Sequence, residues 1–241
     1  MNKIYYVIAK HDDAIYNKYT KKSMVGKKPI IIEDSPELNS MTKKYNAGLK
    51  RIKNLKDDDI VVFLHEDITI LDNLFEGRLL ISFASYPDIG VLGVYGSQAY
   101  IGGGWWSYDR NHSVGAIKQM SKDGTLYEMR HALPPNTINT NMVVVDGCIM
   151  AIRGKCLKQV QFDESMKGYH QYDNSYCLEV LLKTKYKLAV SDLNIFHASE
   201  GSPDETWLQD SLSLINRYKE LGLHIPLTSR NIKEVNYGKV Q

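Results

Sequence analysis

The sequence predicts an α/β chain with a mostly parallel central sheet flanked by helices, and three observations carry that prediction. Short β-branched runs recur through the first hundred residues, at Ile4 to Ala9, Ile30 to Ile32, Asp59 to Leu64 and Ile89 to Val94. Between them lie stretches with apolar residues every three or four positions, the period of an amphipathic helix. Strands alternating with helices pair in parallel through right-handed crossovers. Finally, each of the first three strands stops at charged residues: Lys10-His11-Asp12-Asp13, Glu33-Asp34 and His65-Glu66-Asp67. In open α/β sheets ligands bind beyond the carboxyl ends of the strands, so a site is expected there.

Strand one, Ile4 to Ala9, is an apolar run closed by charges. The tract after it carries Lys18, Lys21, Lys22, Lys27 and Lys28 and reads as a solvated loop, with a phosphate or an anionic membrane surface as the alternative partner. Strand two follows Pro29. From Ser40 to Leu55, Met41, Tyr45, Leu49 and Ile52 mark the inner face of a helix. Gly48 within it costs roughly 1 kcal/mol relative to Ala, which implies a close approach of the helix to a ligand or a neighbour. Strand three runs into Glu66-Asp67, which either holds a metal or polar ligand or caps the next helix. A helix is expected from Leu71 to Ser85 with Leu71, Leu74, Phe75, Leu79 and Phe83 inward, and strand four is Ile89 to Val94.

From Gly96 to Pro135 the pattern loosens. Gly102-Gly103-Gly104-Trp105-Trp106 reads as a mobile loop whose tryptophans stack on a sugar face or plug the core. Weak strands surround Val114 to Ile117 and Thr125 to Met129. Met142 to Ile152 is a dense strand broken by Asp146-Gly147, which suggests a bulge or a point where a ligand meets the backbone. A short helix spans Gly154 to Val160. The next helix has Tyr176, Cys177, Val180 and Leu181 inward and Asp173 in its first turn, where the helix dipole favours a carboxylate whatever its role. Two short strands, the second ending at His197, precede a last helix from Asp204 to Leu221 with Trp207, Leu208, Leu212, Ile215 and Tyr218 inward.

Composition excludes several classes. The 241 residues suffice for a sizeable core, and a net charge of +2 from scattered residues gives no footprint for nucleic acid. Cys148, Cys156 and Cys177 lack metal or CxxC spacing, so reduced thiols in a cytoplasmic protein are expected. The amino terminus does not read as a signal peptide, and no run approaches the roughly 20 apolar residues of a membrane span. Neither a GxGxxG turn nor a P-loop is present. A site lined by carboxylates would repel a bare diphosphate unless a divalent cation lay between them.

Eight segments then fall in a recognisable order: Tyr45-Asn46-Ala47-Gly48, Val62 to Asp67, Gly90 to Ser97, Gly104-Trp105-Trp106, Val145-Asp146-Gly147, Phe162-Asp163-Glu164, Gly168 to Asp173, and His197-Ala198-Ser199. With these the chain resembles a family-2-type glycosyltransferase of the GT-A nucleotide-diphospho-sugar transferase fold, and more narrowly the branch related to the streptomycin-biosynthesis glycosyltransferase-like proteins. The resemblance implies one domain over 1–241, with a nucleotide-binding half (1–97), an acceptor and catalytic half (98–225) and a tail (226–241). It implies donor contacts at Ala9, Glu33, Asp34, Asn46, His65, Glu66, Asp146 and Gly147, with Glu33-Asp34 at the nucleobase or ribose.

The same resemblance sets His65-Glu66-Asp67 where the family has its DxD motif, making Asp67 and His197 ligands of Mn2+ or Mg2+. It makes Asp173 the general base of an inverting transfer, and it sets Trp105, Trp106 and Tyr172 at the acceptor or its loop. His65 and Tyr172 depart from the family's acids. The implied partners are a nucleotide-sugar donor, with UDP-sugar first, and a glycan or lipid-linked acceptor, in cell-wall, capsule or lipid-linked glycan assembly. The implied location is cytoplasmic, with peripheral contact at the inner face of the membrane. The alternative is a non-catalytic nucleotide-sugar or glycan-binding protein of the same fold, which the two missing acids favour.

Overall fold

Runs of β-branched and aromatic residues make strands that are largely covered on both faces, and two of these, at residues 4–9 and 60–65, form the inner part of the larger sheet. The computed structural model describes residues 2–104, 110–166, 168–199, 201, 204–223, 226–228 and 231–232. In chain order the first elements are β1 (Ile4–Ala9), α1 (Asp13–Lys18), α2 (Thr20–Ser23), β2 (Ile30–Ile32), α3 (Met41–Lys50), β3 (Ile60–His65), β4 (Ile68–Ile70), α4 (Phe75–Ser85) and β5 (Ile89–Gly93). Short strands follow: β6 (Tyr95–Ser97), β7 (Ala99–Tyr100), β8 (Ser113–Met120), β9 (Leu126–His131), β10 (Ile138–Met142), β11 (Val144–Val145) and β12 (Ile149–Arg153). The remainder is α5 (Gly154–Gln159), α6 (Tyr172–Lys183), β13 (Lys187–Ser191), β14 (Ile195–His197), α7 (Glu205–Glu220) and β15 (Leu227–Thr228).

The large sheet has the order β10-β13-β5-β12-β3-β1-β2. β1 pairs in parallel with β2 and β3, and β13 with β5, while β12 lies antiparallel between β3 and β5 and β10 antiparallel to β13. Five of its seven strands therefore point one way, as a mostly parallel sheet requires, with two reversed. A second sheet, β11-β6-β8-β14-β4 with β9 on β8, sits beside it. The run from Met142 to Ile152, expected as one broken strand, is divided between both sheets.

Several helices differ from expectation. The lysine tract is not a plain loop: α1 begins where the Asp12 side chain accepts from Ile15 N at 2.9 Å, and α2 follows directly. α4 starts at Phe75 because the Asp72 carboxylate takes the Leu74 N–H at 2.8 Å and the Arg78 guanidinium at 2.7 Å, holding the preceding residues in a turn. Leu71 and Leu74 are consequently exposed rather than inward. On α7 the buried stripe is Ser211, Leu214 and Tyr218, which turns Leu208 and Leu212 to the surface. Among the described residues no helix is long and apolar enough to cross a membrane. All three cysteines are free and buried.

Gly48 meets a neighbour: a Cβ there would fall 2.3 Å from Cγ1 of Val7, a fully buried residue of β1. α3 thus lies tightly on β1, with Tyr45 against Phe63 and Phe162 at ring distances of 5.0 and 5.2 Å. Gly48→Ala is expected to destabilise the fold by about 1–3 kcal/mol through overpacking, although Ala is the better helix former by roughly 1 kcal/mol. Urea unfolding checks this, and a stabilised variant would show that α3 can lift off β1 at little cost.

Candidate active site

Two residues, Glu66 and Asp67, separate the end of β3 in the large sheet from the start of β4 in the second sheet. With both flanking strands paired, the joint has little freedom. Thr20 of α2, fully buried, closes it: the hydroxyl donates to Ile68 O at 2.8 Å and accepts from Ile68 N at 3.1 Å. The Glu66 carboxylate accepts from His11 N (2.7 Å) and Asp12 N (2.9 Å), tying the turn after β1 to the same point. On the other side β14 pairs with β4, setting His197 opposite Ile68, and Ala198 N donates to Asp67 O at 3.0 Å.

This joint brings His65, Asp67 and His197 together, each with a potential ligand atom, all within 4.8 Å of one another. His197 Nε2 is 3.4 Å from Asp67 Oδ2, and His65 Nδ1 is 4.0 Å from Asp67 Oδ1. Oδ1 is buried and accepts no hydrogen bond, an arrangement that is costly unless a bound cation or hydrogen-bond donor supplies the partner. Two imidazoles and a carboxylate with a vacant oxygen fit a divalent metal.

Charge follows the geometry. Burial opposes ionisation of Asp67, but the charge and hydrogen bond of His197, aided by His65, outweigh it and hold the carboxyl well below the usual range. Burial likewise works against a proton on His197, yet Asp67 wins and raises its pKa. At His65 burial prevails and lowers it. Ser199 Oγ lies 3.2 Å from His197 Nε2, and the Gln119 amide lies 3.3 Å from Nδ1.

Asp173 stands at the start of α6 behind Gln171, a buried residue held in the left-handed region at a φ of 56°. Gly147 N donates to Asp173 Oδ2 at 2.9 Å and Asn174 N to Oδ1 at 2.8 Å. Despite these bonds, burial and the neighbouring charge of Asp146 push the Asp173 pKa up to about 7. The helix dipole alone predicts the opposite shift, so desolvation is the larger effect here. Asp146 itself accepts from Cys148 N at 2.8 Å, and Ala9 lies in register beside His65 at the strand ends.

Beyond β2, Glu33 pairs with Lys10 at 2.7 Å, and Asp34 receives His11, Lys44 and the Tyr169 hydroxyl, the last at 3.1 Å. Lys44 is 1% exposed and also donates to Lys10 O at 3.1 Å. Burial opposes the Asp34 charge, but the bonds from His11 and Lys44 outweigh it and leave the pKa at about 2. His11, Lys44 and Tyr169 escaped sequence reasoning, because one lysine among several on a helix carries no distinguishing pattern.

Two expected site residues are engaged within the chain. Asn46 is buried and its amide is consumed in tying α3 to the segment before α6: Nδ2 donates to Phe162 O (2.8 Å) and Glu164 (2.9 Å), and Oδ1 accepts from Phe162 N (3.2 Å). Tyr172 is 4% exposed, edge-on to Tyr45, with its hydroxyl 2.6 Å from His65 Nε2. Trp105 and Trp106 lie outside the described residues; Gly103 before them packs near Gln171 and Ser211.

An α/β fold with a large, mostly parallel sheet and a polar site at the carboxyl end of a central strand is consistent with the GT-A glycosyltransferases. The chain belongs to the family described as the glycosyltransferase-like family, which matches residues 10–216. Among solved structures it is similar to GalNAc-T7 crystallised with UDP, GalNAc and Mn2+, at a TM-score of 0.58 and 9% identity over 92% of this chain and 49% of that one. It is also similar to residues 1–349 of TarS from S. aureus, at a TM-score of 0.54 and 12% identity over 97% and 69% of the two chains. The chain therefore spans about half the length of the GalNAc-T7 chain. At these identities the likeness shows the fold. No curated protein sequence matches the chain.

Asp34→Asn leaves the Lys44 ammonium buried without its counter-ion. Unfolding free energy at neutral pH is expected to fall by about 2 kcal/mol, less than for a fully buried pair because Asp34 is one third open to water. The folded-state pKa lies below the unfolded value, so this stability is present above about pH 4 and is lost as pH falls toward 2. Urea midpoints of wild type and variant should therefore converge in acid; a constant gap would mean that charge is not the cause.

Proposed function

We propose that the chain transfers a sugar from a nucleoside-diphosphate donor, a UDP-sugar first of all, to a hydroxyl of a glycan or lipid-linked acceptor, with inversion at the anomeric carbon. The observation that carries this is the triplet His65, Asp67 and His197 with an unpartnered carboxylate oxygen at its centre, set where the strands of a GT-A sheet end. The UDP and Mn2+ of the GalNAc-T7 structure support the choice of nucleotide and metal. His65, Asp67 and His197 would hold a divalent cation, which when bound supplies the Lewis acidity that offsets charge growing on a departing diphosphate. Two imidazole nitrogens favour Mn2+ over Mg2+, which prefers oxygen ligands.

The chain's own groups do the rest. Asp34, kept ionised by Lys44 and His11, offers its carboxylate to the nucleobase or ribose, with Ala9 and Glu33 beside it. Glu66 holds the turn after β1 against the metal joint through His11 N and Asp12 N, which shapes the donor side. Asp146 and Gly147 border the donor sugar next to Asp173. Asp173 accepts the proton of the attacking hydroxyl on the side away from the leaving group, which is in-line displacement. The Trp105-Trp106 loop excludes water, the competing acceptor. His65 and Tyr172 support the narrower likeness to the streptomycin-biosynthesis glycosyltransferase-like proteins. The same two replacements favour the second reading, a nucleotide-sugar or glycan-binding protein without turnover.

Calorimetric titration with UDP, GDP and CDP is expected to give metal-dependent binding of one nucleotide, weakened at least about tenfold by Asp67→Ala. No binding to any of them, with the protein folded and Mn2+ present, would reject the donor site. Asp173→Asn is expected to cut transfer by roughly 10²–10⁴ while donor affinity stays within about twofold. Because Asp173 accepts a proton only when ionised, and its pKa lies at about 7, wild-type turnover should rise with pH and reach half its plateau there. A flat profile across that range would remove Asp173 from the role of base.

A further inference from the structure

We propose that Tyr172 is a positioning residue for the metal site: its hydroxyl fixes the ring and the tautomer of His65, so that His65 presents Nδ1 beside Asp67. This rests on the reading of His65, Asp67 and His197 as ligands. The two positions at which the chain departs from the acids implied by its family resemblance are in contact with each other. His65 Nε2 and the Tyr172 hydroxyl are 2.6 Å apart, and Tyr172 is immobilised in the core against Tyr45, with ring centroids 5.7 Å apart.

The pairing follows from what an imidazole needs in order to ligate. A carboxylate attracts a cation with either oxygen and needs no partner to choose between them. An imidazole has two unlike nitrogens, and only one without a proton can donate to a metal. With Nε2 engaged by Tyr172, Nδ1 is left for the cation, and it is Nδ1 that lies 4.0 Å from the unpartnered Oδ1 of Asp67. The proton then resides on Nε2, which donates to the phenol oxygen, as the outer nitrogen of a ligating histidine does.

Gly147 provides the room for this contact. A Cβ there would lie 2.2 Å from the Tyr172 oxygen and 2.8 Å from Cβ of Asp173. The same glycine therefore admits the phenol to His65 and the carboxyl to the backbone N–H.

Mn2+ binding to the protein without nucleotide, followed by the electron-spin signal of the free ion, tests the proposal. Tyr172→Phe keeps the ring in place and is expected to weaken Mn2+ binding about 10–100-fold with the thermal midpoint little changed. Added to His65→Ala, Tyr172→Phe should produce no further loss, since the ligand it orients is gone. In a His65→Asp background Mn2+ affinity should become indifferent to Tyr172→Phe. Absence of Mn2+ binding in wild type, or binding untouched by Asp67→Ala, overturns both the metal site and this inference. Binding that Asp67→Ala abolishes but Tyr172→Phe leaves intact overturns the positioning role alone. An equal loss from Tyr172→Phe with and without His65 would mean that the hydroxyl acts on the fold at large.

Discussion

Asp67 must carry its charge where little water reaches it, and much of the surrounding chain answers to that constraint. A lone carboxylate in such a place would take up a proton; here a neighbouring imidazole of raised basicity keeps the charge in place. The backbone around it is held through Thr20, Ala198 and the pairing of β4 with β14. The carbonyl of Asp67 and both main-chain groups of Ile68 are thus satisfied while one side-chain oxygen of Asp67 is not. That division suits a binding site, because a ligand can satisfy the oxygen without moving the backbone.

The Asp34 cluster illustrates the opposite solution. Its carboxylate already meets a lysine, an imidazole and a phenol, with a nearly inaccessible ammonium beneath. Breaking such a pair leaves an uncompensated charge, so the cluster acts as a rigid post between the ends of β1 and β2 and the amino-terminal half of α3. One carboxylate is held by three of the chain's own groups and still faces water, the other has a buried oxygen left open, and the two stand at the ends of strands separated only by β1.

Local pattern made parts of this legible. β1 and β3 could be read because uninterrupted Val, Ile and Phe runs have few other destinations, and Gly48 announced a close contact through its cost to a helix. Its partner, Val7, could not be named, since helix-to-sheet packing is not a local property. The order of strands was equally hidden: residues 142–152 look continuous, and nothing in them says that they serve two sheets. α1 and α2 are too short for a period of 3.6 to show. Asp67 could be picked out as an acid at the end of an apolar run, while His65, His197 and Asp173 were set at the site by the family resemblance; His65, Asp67 and His197 do converge in space. Thr20, Lys44 and Gln119 gave no such sign, because their partners lie far away in the chain. Asn46 and Tyr172 were placed toward ligands by resemblance alone, and their contacts with Phe162 and His65 could not be read from the sequence.

The antiparallel placement of β12 between β3 and β5 has a consequence for how the chain reaches its native state. β1, β2 and β3 are contiguous in the first 65 residues, but the other edge of β3 is closed only by residues 149–153. Contacts so distant in sequence carry a large loop-closure entropy and slow folding. During synthesis the first three strands therefore emerge well before their central partner, leaving a fully apolar strand edge unprotected in the interval, which is where intermolecular pairing and dependence on chaperones would begin.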